Sequence, residues 1–207
     1  DGYARAGSGS GMSLAILLLA AGSASRMRGG DKLMEQVMGR PLIAVMASRA
    51  LQVTNLVLVA LPGPDHCRTR ALSGLAVTPV AVLDASEGMG ASIHTGVAAL
   101  PQQTEAVMIL PADMPDLTTA DLRQMATLWQ AHPDALHRAT ASDGTPGHPV
   151  IFPARLFPAL RRLSGDTGAR AVLKGESILP TALPARHALT DLDTPEDWGK
   201  WRAAHQP

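Results

Sequence analysis

Leu14-Ala-Ile-Leu-Leu-Leu-Ala-Ala-Gly-Ser-Ala-Ser-Arg-Met-Arg-Gly-Gly-Asp-Lys32 decides how the rest of the chain is read. Its first eight residues, Leu14 to Ala21, are an unbroken apolar run that stops at Gly22. A run of that length closed by glycine predicts a strand buried on both faces, the usual first strand of a parallel sheet. The polar half that follows suits anions. Gly22, Gly29 and Gly30 let backbone N–H groups approach closely, and such turns form anion-binding concavities. Arg26, Arg28 and Lys32 add positive charge, arginine as a fork for phosphate oxygens and lysine as a point charge. Glycine and charge counts alone fit a solvated basic loop after a core strand at least as well.

Working outward, Pro41 predicts a helix start, with an apolar face running to Leu51. Leu56 to Leu61 reads as a second buried strand, Asp65 to Leu72 as a short helix and Val77 to Leu83 as a third strand. A loop over Asp84 to Gly90 leads into a helix from Ser92 to Leu100. Ala106 to Leu110 is the fourth strand, and Thr118 to Ala131 an amphipathic helix. The alternation with short connections is that of an α/β sheet with helices on both faces. Beyond it, Ala139 to Gly147 reads as a polar turn region, His148 to Phe152 as a strand and Ala154 to Leu163 as a helix. A tight loop over Ser164 to Gly168 and a short helix follow. Short strands near Ile178 and over His187 to Leu192 precede a last helix from Pro195. Met27, Met34, Met38 and Met46 are expected in the core, and Trp198 and Trp201 anchor the last helix.

The 207 residues, 46% of them apolar, suffice for one sizeable core, which assigns residues 12–207 to one domain. The Gly- and Ser-rich residues 1–11 carry no apolar segment of a signal peptide and read as a disordered or artificial tail before Met12. A formal net charge of zero gives no nucleic-acid or anionic-membrane surface. One cysteine, Cys67, excludes an internal disulfide and a thiolate zinc cluster, which fits a reducing cytoplasm. The seven histidines show no ligand spacing. No apolar run reaches the ~18 residues of a membrane span.

Two acids stand out. Asp113, in Leu110-Pro-Ala-Asp-Met-Pro115, lies just beyond the carboxyl end of the fourth strand, where open α/β sheets bind ligands. The plainer reading is a turn former or helix cap, but Thr118 and Thr119 are available for capping. In Thr190-Asp-Leu-Asp-Thr-Pro-Glu-Asp197, Thr194 as N-cap and Pro195 at the first helical position explain most of the string. They leave Asp193 free, and if residues 191–193 are extended, Asp191 shares its face.

The loop lacks both the P-loop pattern and Gly-x-Gly-x-x-Gly. Leu19-Ala-Ala-Gly-Ser-Ala-Ser-Arg-Met27, followed by Lys32, instead resembles the signature of the nucleotidyltransferases that make or use molybdenum cofactor dinucleotides. Arg28 stands where that family usually has glycine, and the loop is one residue longer than the commonest form. Four further segments resemble the family in order: Glu87-Gly-Met-Gly-Ala-Ser92, Asp113-Met-Pro115, Gly147-His-Pro-Val150 with Leu163 to Arg170, and Asp191 to Asp197. The resemblance implies an α/β three-layer sandwich with a mainly parallel sheet, Rossmann-like and similar to nucleotide-diphospho-sugar transferases. It implies transfer of CMP from CTP to the terminal phosphate of molybdopterin or its molybdenum-loaded form, releasing pyrophosphate. Leu19, Ala20, Ala21, Gly22, Ser23, Arg26, Lys32, Asp84, Gly88 and Ser92 would bind nucleotide. Arg26, Lys32 and Asp113 would serve catalysis, and Asp113 and Asp193 would hold Mg2+, with Asp191 as second choice. His148, Asp166 and Arg170 would face the acceptor, although a structural histidine explains His148 as well. In the same way Gly88 and Gly90 fit a turn, and Ser92 a helix cap. Product would pass to a molybdoenzyme or its chaperone. Ala21 points to CTP, since Leu-Ala-Gly-Gly goes with GTP in the resembling families. A guanylyltransferase, a sugar- or polyol-phosphate nucleotidyltransferase and a non-catalytic cofactor-carrying chaperone are the alternatives.

Overall fold

Apolar runs that cannot be solvated form the centre of the sheet, and the site hangs from their ends. The computed structural model describes residues 13–85, 88–165 and 168–205; residues 1–11, Glu87 and Asp166 lie outside the described residues. In chain order the elements are β1 (Leu14–Leu19), β2 (Gln36–Val37), β3 (Arg40–Pro41), α1 (Leu42–Leu51), β4 (Val57–Leu61), α2 (Cys67–Ala71), β5 (Thr78–Ala81) and α3 (Met89–Ala98). Then come β6 (Ala106–Pro111), α4 (Thr119–Ala131), β7 (Leu136–Thr140), β8 (Pro146–Pro153), α5 (Phe157–Leu160), α6 (Arg170–Leu173), β9 (Ile178–Ala182) and α7 (Pro195–Ala204).

Seven strands form one sheet in the order β5-β4-β1-β6-β8-β7-β9. Only β8 runs against the rest, pairing antiparallel with β6 and β7, so the sheet is mainly parallel. β1 sits between β4 and β6 with every residue from Leu14 to Leu18 buried, as its unbroken apolar run predicts. Alternate residues feed two cores. Ile16, Leu18, Val59 and Met108 pack with Ile43, Met46, Leu122, Met125, Trp129 and Trp198 from α1, α4 and α7. Leu17, Leu58, Val107 and Ile109 pack with Ile93, Val97, Phe157 and Leu160 from α3 and α5. Each such side chain contributes about 1.5–3 kcal/mol through burial. α3 lies close on β1 because Gly96 has no Cβ; one placed there would be 2.5 Å from Leu17 Cδ1.

Several expectations are corrected. Leu136 to Thr140 is a strand, paired on both sides by β8 and β9, so the turn region expected over Ala139 to Gly147 shrinks to the residues between Thr140 and Pro146. His187 to Leu192 is no strand: His187 to Leu189 lie in turns, with Leu189 N and Thr190 N both donating back to Arg186 O, and residues 190–192 are irregular. Ala154 to Leu163 divides into a 3-10 turn and the short α5, with Pro158 removing one helical N–H. Ser92 is no cap: α3 begins three residues earlier, with Gly88 as its N-cap at φ 97°. Met38, expected in the core, is 86% exposed at the tip of the β2–β3 hairpin.

Candidate active site

Sheet register brings the two key loops together. β1 and β6 run parallel with Leu19 opposite Pro111, so Ala20–Gly22 and Ala112–Asp113 leave the same edge side by side. Ala112 N donates to Leu19 O at 3.1 Å, and Leu192 N donates to Asp113 O at 3.1 Å. The second bond draws residues 191–193 onto the same crevice. α7 then starts as the sequence predicts: Thr194 and Asp197 form a reciprocal capping box with Pro195 at the first position. α4 is capped in the same way by Thr118 and Asp121, so neither Asp113 nor Asp193 is used as a cap.

Lys32, Asp113 and Asp193 meet there. Lys32 Nζ lies 2.5 Å from Asp113 Oδ2 and 2.5 Å from Asp193 Oδ1, and Arg26 Nη1 lies 2.8 Å from Asp193 Oδ2. Burial acts to lower the Lys32 pKa, but Asp113 and Asp193 together overcome it and hold it above the ordinary value. Asp113 Oδ1 is buried and has no hydrogen-bond partner among the described residues. Asp191 is pushed above the usual carboxylate range, first by burial and then by Asp113 and Asp193, with Lys32 opposing. Asp113 and Asp193, joined through Lys32 and with one bare buried oxygen on Asp113, offer the two carboxylates with which a hard divalent cation is commonly held, water and substrate phosphate completing the shell. Asp191 does not join them in a group whose ligand atoms all lie within 4.8 Å of one another.

The glycine loop forms a hollow of about 480 Å3 lined by Ala21, Gly22, Ser23, Ala24, Gly29, Gly30 and Ala85, among others. Among the described residues, the N–H groups of Gly22, Ser23 and Ala24 make no hydrogen bond, and a Cβ on Gly22 would meet nothing within 4 Å. Asp84 is exposed beside Ala85, while Gly88 and the buried Ser92 belong to the start of α3. Arg28 does not serve the hollow. It takes the left-handed conformation at φ 51° and pairs with Glu196 at 2.6 Å. Left-handed Arg28 followed by Gly29 at φ 95° turns the chain back where the family usually has glycine.

Arg68 was not singled out by the sequence, and it organises this loop. It is 2% exposed, and its Nη1 donates to Ala20 O at 2.7 Å and Gly22 O at 2.8 Å. Its Nε and Nη2 fork onto Asp31 at 2.8 and 2.9 Å. Asp31 in turn accepts from Leu33 N, fixing the 3-10 turn that carries Lys32. Nothing in the sequence distinguishes Arg68 from exposed Arg70 in the same short helix. Asp31, His66 and Cys67 bring ligand atoms within 4.8 Å of one another. Arg68 already engages both Asp31 oxygens, and its N–H donates to His66 Nδ1, so the cluster serves the loop.

On the other side of Asp113 are two hollows, of about 250 and 450 Å3, whose walls share Met89, Arg138, His148 and Arg170. The smaller includes Asp113 and Asp191; the larger is floored by Ile93, Ile109, Val150, Phe152 and Leu173. Arg138, unforeseen because β7 was unforeseen, is lowered in pKa by burial and then by Arg170. An anion bound here would relieve both arginine charges. His148 is lowered to about 4, chiefly by burial and then by Arg138, with Asp113 opposing, so it is neutral at physiological pH. Its Nδ1 is buried without a partner among the described residues. A larger cavity, about 640 Å3, lies between the β2–β3 hairpin and α7, with none of these acids in its wall. Among the described residues no helix is long and apolar enough to cross a membrane.

A family model described as "MobA-like NTP transferase domain" matches residues 16–183. The molybdenum cofactor guanylyltransferase of Serratia proteamaculans is 29% identical over 192 residues, 90% of this chain and 92% of that protein. The purine catabolism protein PucB of Bacillus subtilis is 33% identical over 125 residues, which span 58% of this chain and 59% of that one. Among solved structures, Rv0371c from Mycobacterium tuberculosis superimposes with a TM-score of 0.79 at 23% identity, covering 92% of this chain and 97% of that one. A second structure of Rv0371c is a manganese complex, with a TM-score of 0.73 at 22% identity over 91% of this chain and 97% of that one.

Proposed function

Since the chain belongs to the MobA-like NTP transferase family and is a nucleotidyltransferase, we propose that it transfers a nucleoside monophosphate to the terminal phosphate of molybdopterin or its molybdenum-loaded form. Pyrophosphate is released, and cytidine is the preferred base. What supports the reading is the meeting of Lys32 with Asp113 and Asp193 at the mouth of the glycine loop, three residues drawn from three family-like segments.

An acceptor phosphate oxygen attacks the α-phosphorus; the new P–O bond forms as the α–β bond breaks, and the electron pair leaves with pyrophosphate. The attacking group is already an anion, so the chain needs no general base. Its work is to hold the reacting phosphates in line and balance their charge. Gly22, Ser23 and Ala24 N–H groups with Arg26 receive the triphosphate, while Leu19, Ala20, Ala21, Asp84, Gly88 and Ser92 form the nucleoside side. Arg138, Arg170 and neutral His148 receive the acceptor. Mg2+ on Asp113 and Asp193 would neutralise charge on the transferred and leaving phosphates.

Base choice rests on Ala21, 4% exposed in the wall of the loop hollow. Its methyl takes room beside the base, which a pyrimidine tolerates better than a purine; such a difference is worth only ~1–3 kcal/mol. A second reading, GTP, is favoured by the names of relatives such as the Serratia guanylyltransferase. Competition decides between them: CTP and GTP at equal concentration with molybdopterin and Mg2+, products resolved as cytosine or guanine dinucleotide. Cytosine product should dominate, and Ala21→Gly should narrow the ratio without reversing it. Mostly guanine product from the wild type overturns the cytidylyl assignment.

A further inference from the structure

Lys32 does not point into the loop that is to hold phosphates; it stands between the two acids that are to hold the metal. Of the four oxygens on Asp113 and Asp193, three already meet a cation: Asp113 Oδ2 and Asp193 Oδ1 meet Lys32 Nζ, and Asp193 Oδ2 meets Arg26. The fourth, Asp113 Oδ1, is buried and bare among the described residues. The Lys32, Asp113 and Asp193 side chains are 15%, 18% and 19% exposed, so water screens these charges poorly. An ammonium in contact with both carboxylates occupies the place where these acids would hold a divalent cation. Two cations cannot share it, since like charges at that separation repel strongly in a half-buried setting.

We propose that Lys32 is the resident counter-ion of the acid pair and excludes a free divalent cation until a nucleoside triphosphate draws the ammonium onto its own oxygens. The inference rests on the reading of Asp113 and Asp193 as metal ligands. The exchange leaves every charge paired. The ammonium trades two carboxylates for phosphate oxygens, and the carboxylates trade the ammonium for the metal that accompanies the triphosphate. Metal entry without nucleotide would instead strand a half-buried ammonium. Lysine suits the task as a point charge on a flexible stem, which can swing where a guanidinium fork would be fixed by geometry. Metal and nucleotide therefore bind cooperatively, each raising the affinity of the other by the same factor. Removing the lysine strengthens metal binding in the free protein, the reverse of what loss of an ordinary site residue does.

The test is Mn2+ binding to the full chain, read from the electron paramagnetic resonance signal of the free ion. Wild type, Lys32→Met, Lys32→Gln, Asp113→Asn and the Lys32→Met/Asp113→Asn double variant are compared with and without α,β-methylene CTP or its guanosine counterpart. Wild type should bind Mn2+ weakly alone and roughly tenfold tighter with an analogue. Lys32→Met and Lys32→Gln should bind Mn2+ roughly tenfold tighter than wild type without nucleotide, and an analogue should tighten Mn2+ binding by a smaller factor in them than in wild type. Mn2+ should also raise their thermal midpoint more than that of wild type, which verifies that the variants are folded. Equal Mn2+ affinity in Lys32→Met and wild type, lost on Asp113→Asn, overturns the counter-ion inference and leaves the acids as ligands. Mn2+ binding untouched by Asp113→Asn in either background overturns the reading of the acids itself.

Discussion

Gly147→Ala tests whether the acceptor side is built by close backbone packing. A Cβ on Gly147 would lie 2.0 Å from Ala188 O, 2.7 Å from Ala188 C and 2.9 Å from Leu189 Cδ2. Ordinary contact begins at 3.4 Å, and the nearest atoms are backbone, so β8 and the 184–190 turns must part by more than an ångström. Overpacking of that kind costs about 1–3 kcal/mol. Parting the segments also lengthens the 2.9 Å bond from His148 N to Ala188 O, a further ~0.5–1.5 kcal/mol. For a chain of this length, ~1 kcal/mol moves the thermal midpoint by ~2–4 °C, so a fall of about 5–15 °C is expected. Function should change selectively. Gly147 O holds Arg138 Nε at 3.1 Å, so the shift moves Arg138 and His148 together. The KM for acceptor should rise several-fold while that for nucleotide stays near wild type. Thermal unfolding followed by circular dichroism, with steady-state kinetics in both substrates, measures the two effects. Gly63→Ala, whose Cβ would meet nothing within 4 Å, is the control. A variant that unfolds within about 1 °C of wild type and keeps its acceptor KM refutes the argument.

His148 predicts a pH dependence. Its folded pKa of about 4 lies below the ordinary ~6.5, so the unfolded chain binds the extra proton first. The stability this contributes is complete above pH ~6.5 and is lost as pH falls toward 4, by an amount on the order of 3 kcal/mol. Denaturant titrations across that window should show a shallower fall for His148→Gln, and parallel curves would remove His148 as the cause. Arg28 carries a second prediction. At φ 51° it bears a left-handed strain of about 1 kcal/mol that glycine lacks, and its exposed pair with Glu196 contributes little. Arg28→Gly should therefore unfold near the wild-type temperature and Arg28→Val several degrees lower, since branching at Cβ makes that conformation costlier. Equal midpoints for glycine and valine would show that position 28 is unstrained.

Most of the sheet was legible because its central strands are buried on both faces and must be continuously apolar. Leu14 to Leu18, Val57 to Leu61 and Ala106 to Leu110 announce themselves in this way. β7 did not, because Leu-His-Arg-Ala-Thr looks polar. Yet its His137 is 1% exposed, with its ring bonded at 3.0 Å to His132 O. A satisfied polar side chain in a core looks the same in sequence as one in a loop. The acid pair and Lys32 were legible as segments, since each lies within a short recognisable string. Their mutual contact depends on the β1–β6 register and on the bond from Leu192 N to Asp113 O, which no local pattern encodes. Arg68 and Arg138 escaped for the same reason, as their partners are supplied by strand pairing and by chain far away.

The grip of Arg68 separates loop length from loop function. One guanidinium, arriving from another segment, fixes Ala20 and Gly22 at one end and Asp31 at the other, with Lys32 following directly. The residues between these anchors are a span between two posts, held midway by Met27 in the core and by Arg26 on Asp193, and a change of length that spares those two leaves the posts in place. Such a span is a cassette that can be exchanged. Grafting a differently sized glycine loop between Gly22 and Asp31 would alter what the hollow admits while leaving the lysine on its acids, provided that Arg26 and Met27 are kept and that Arg68 and Asp31 travel together.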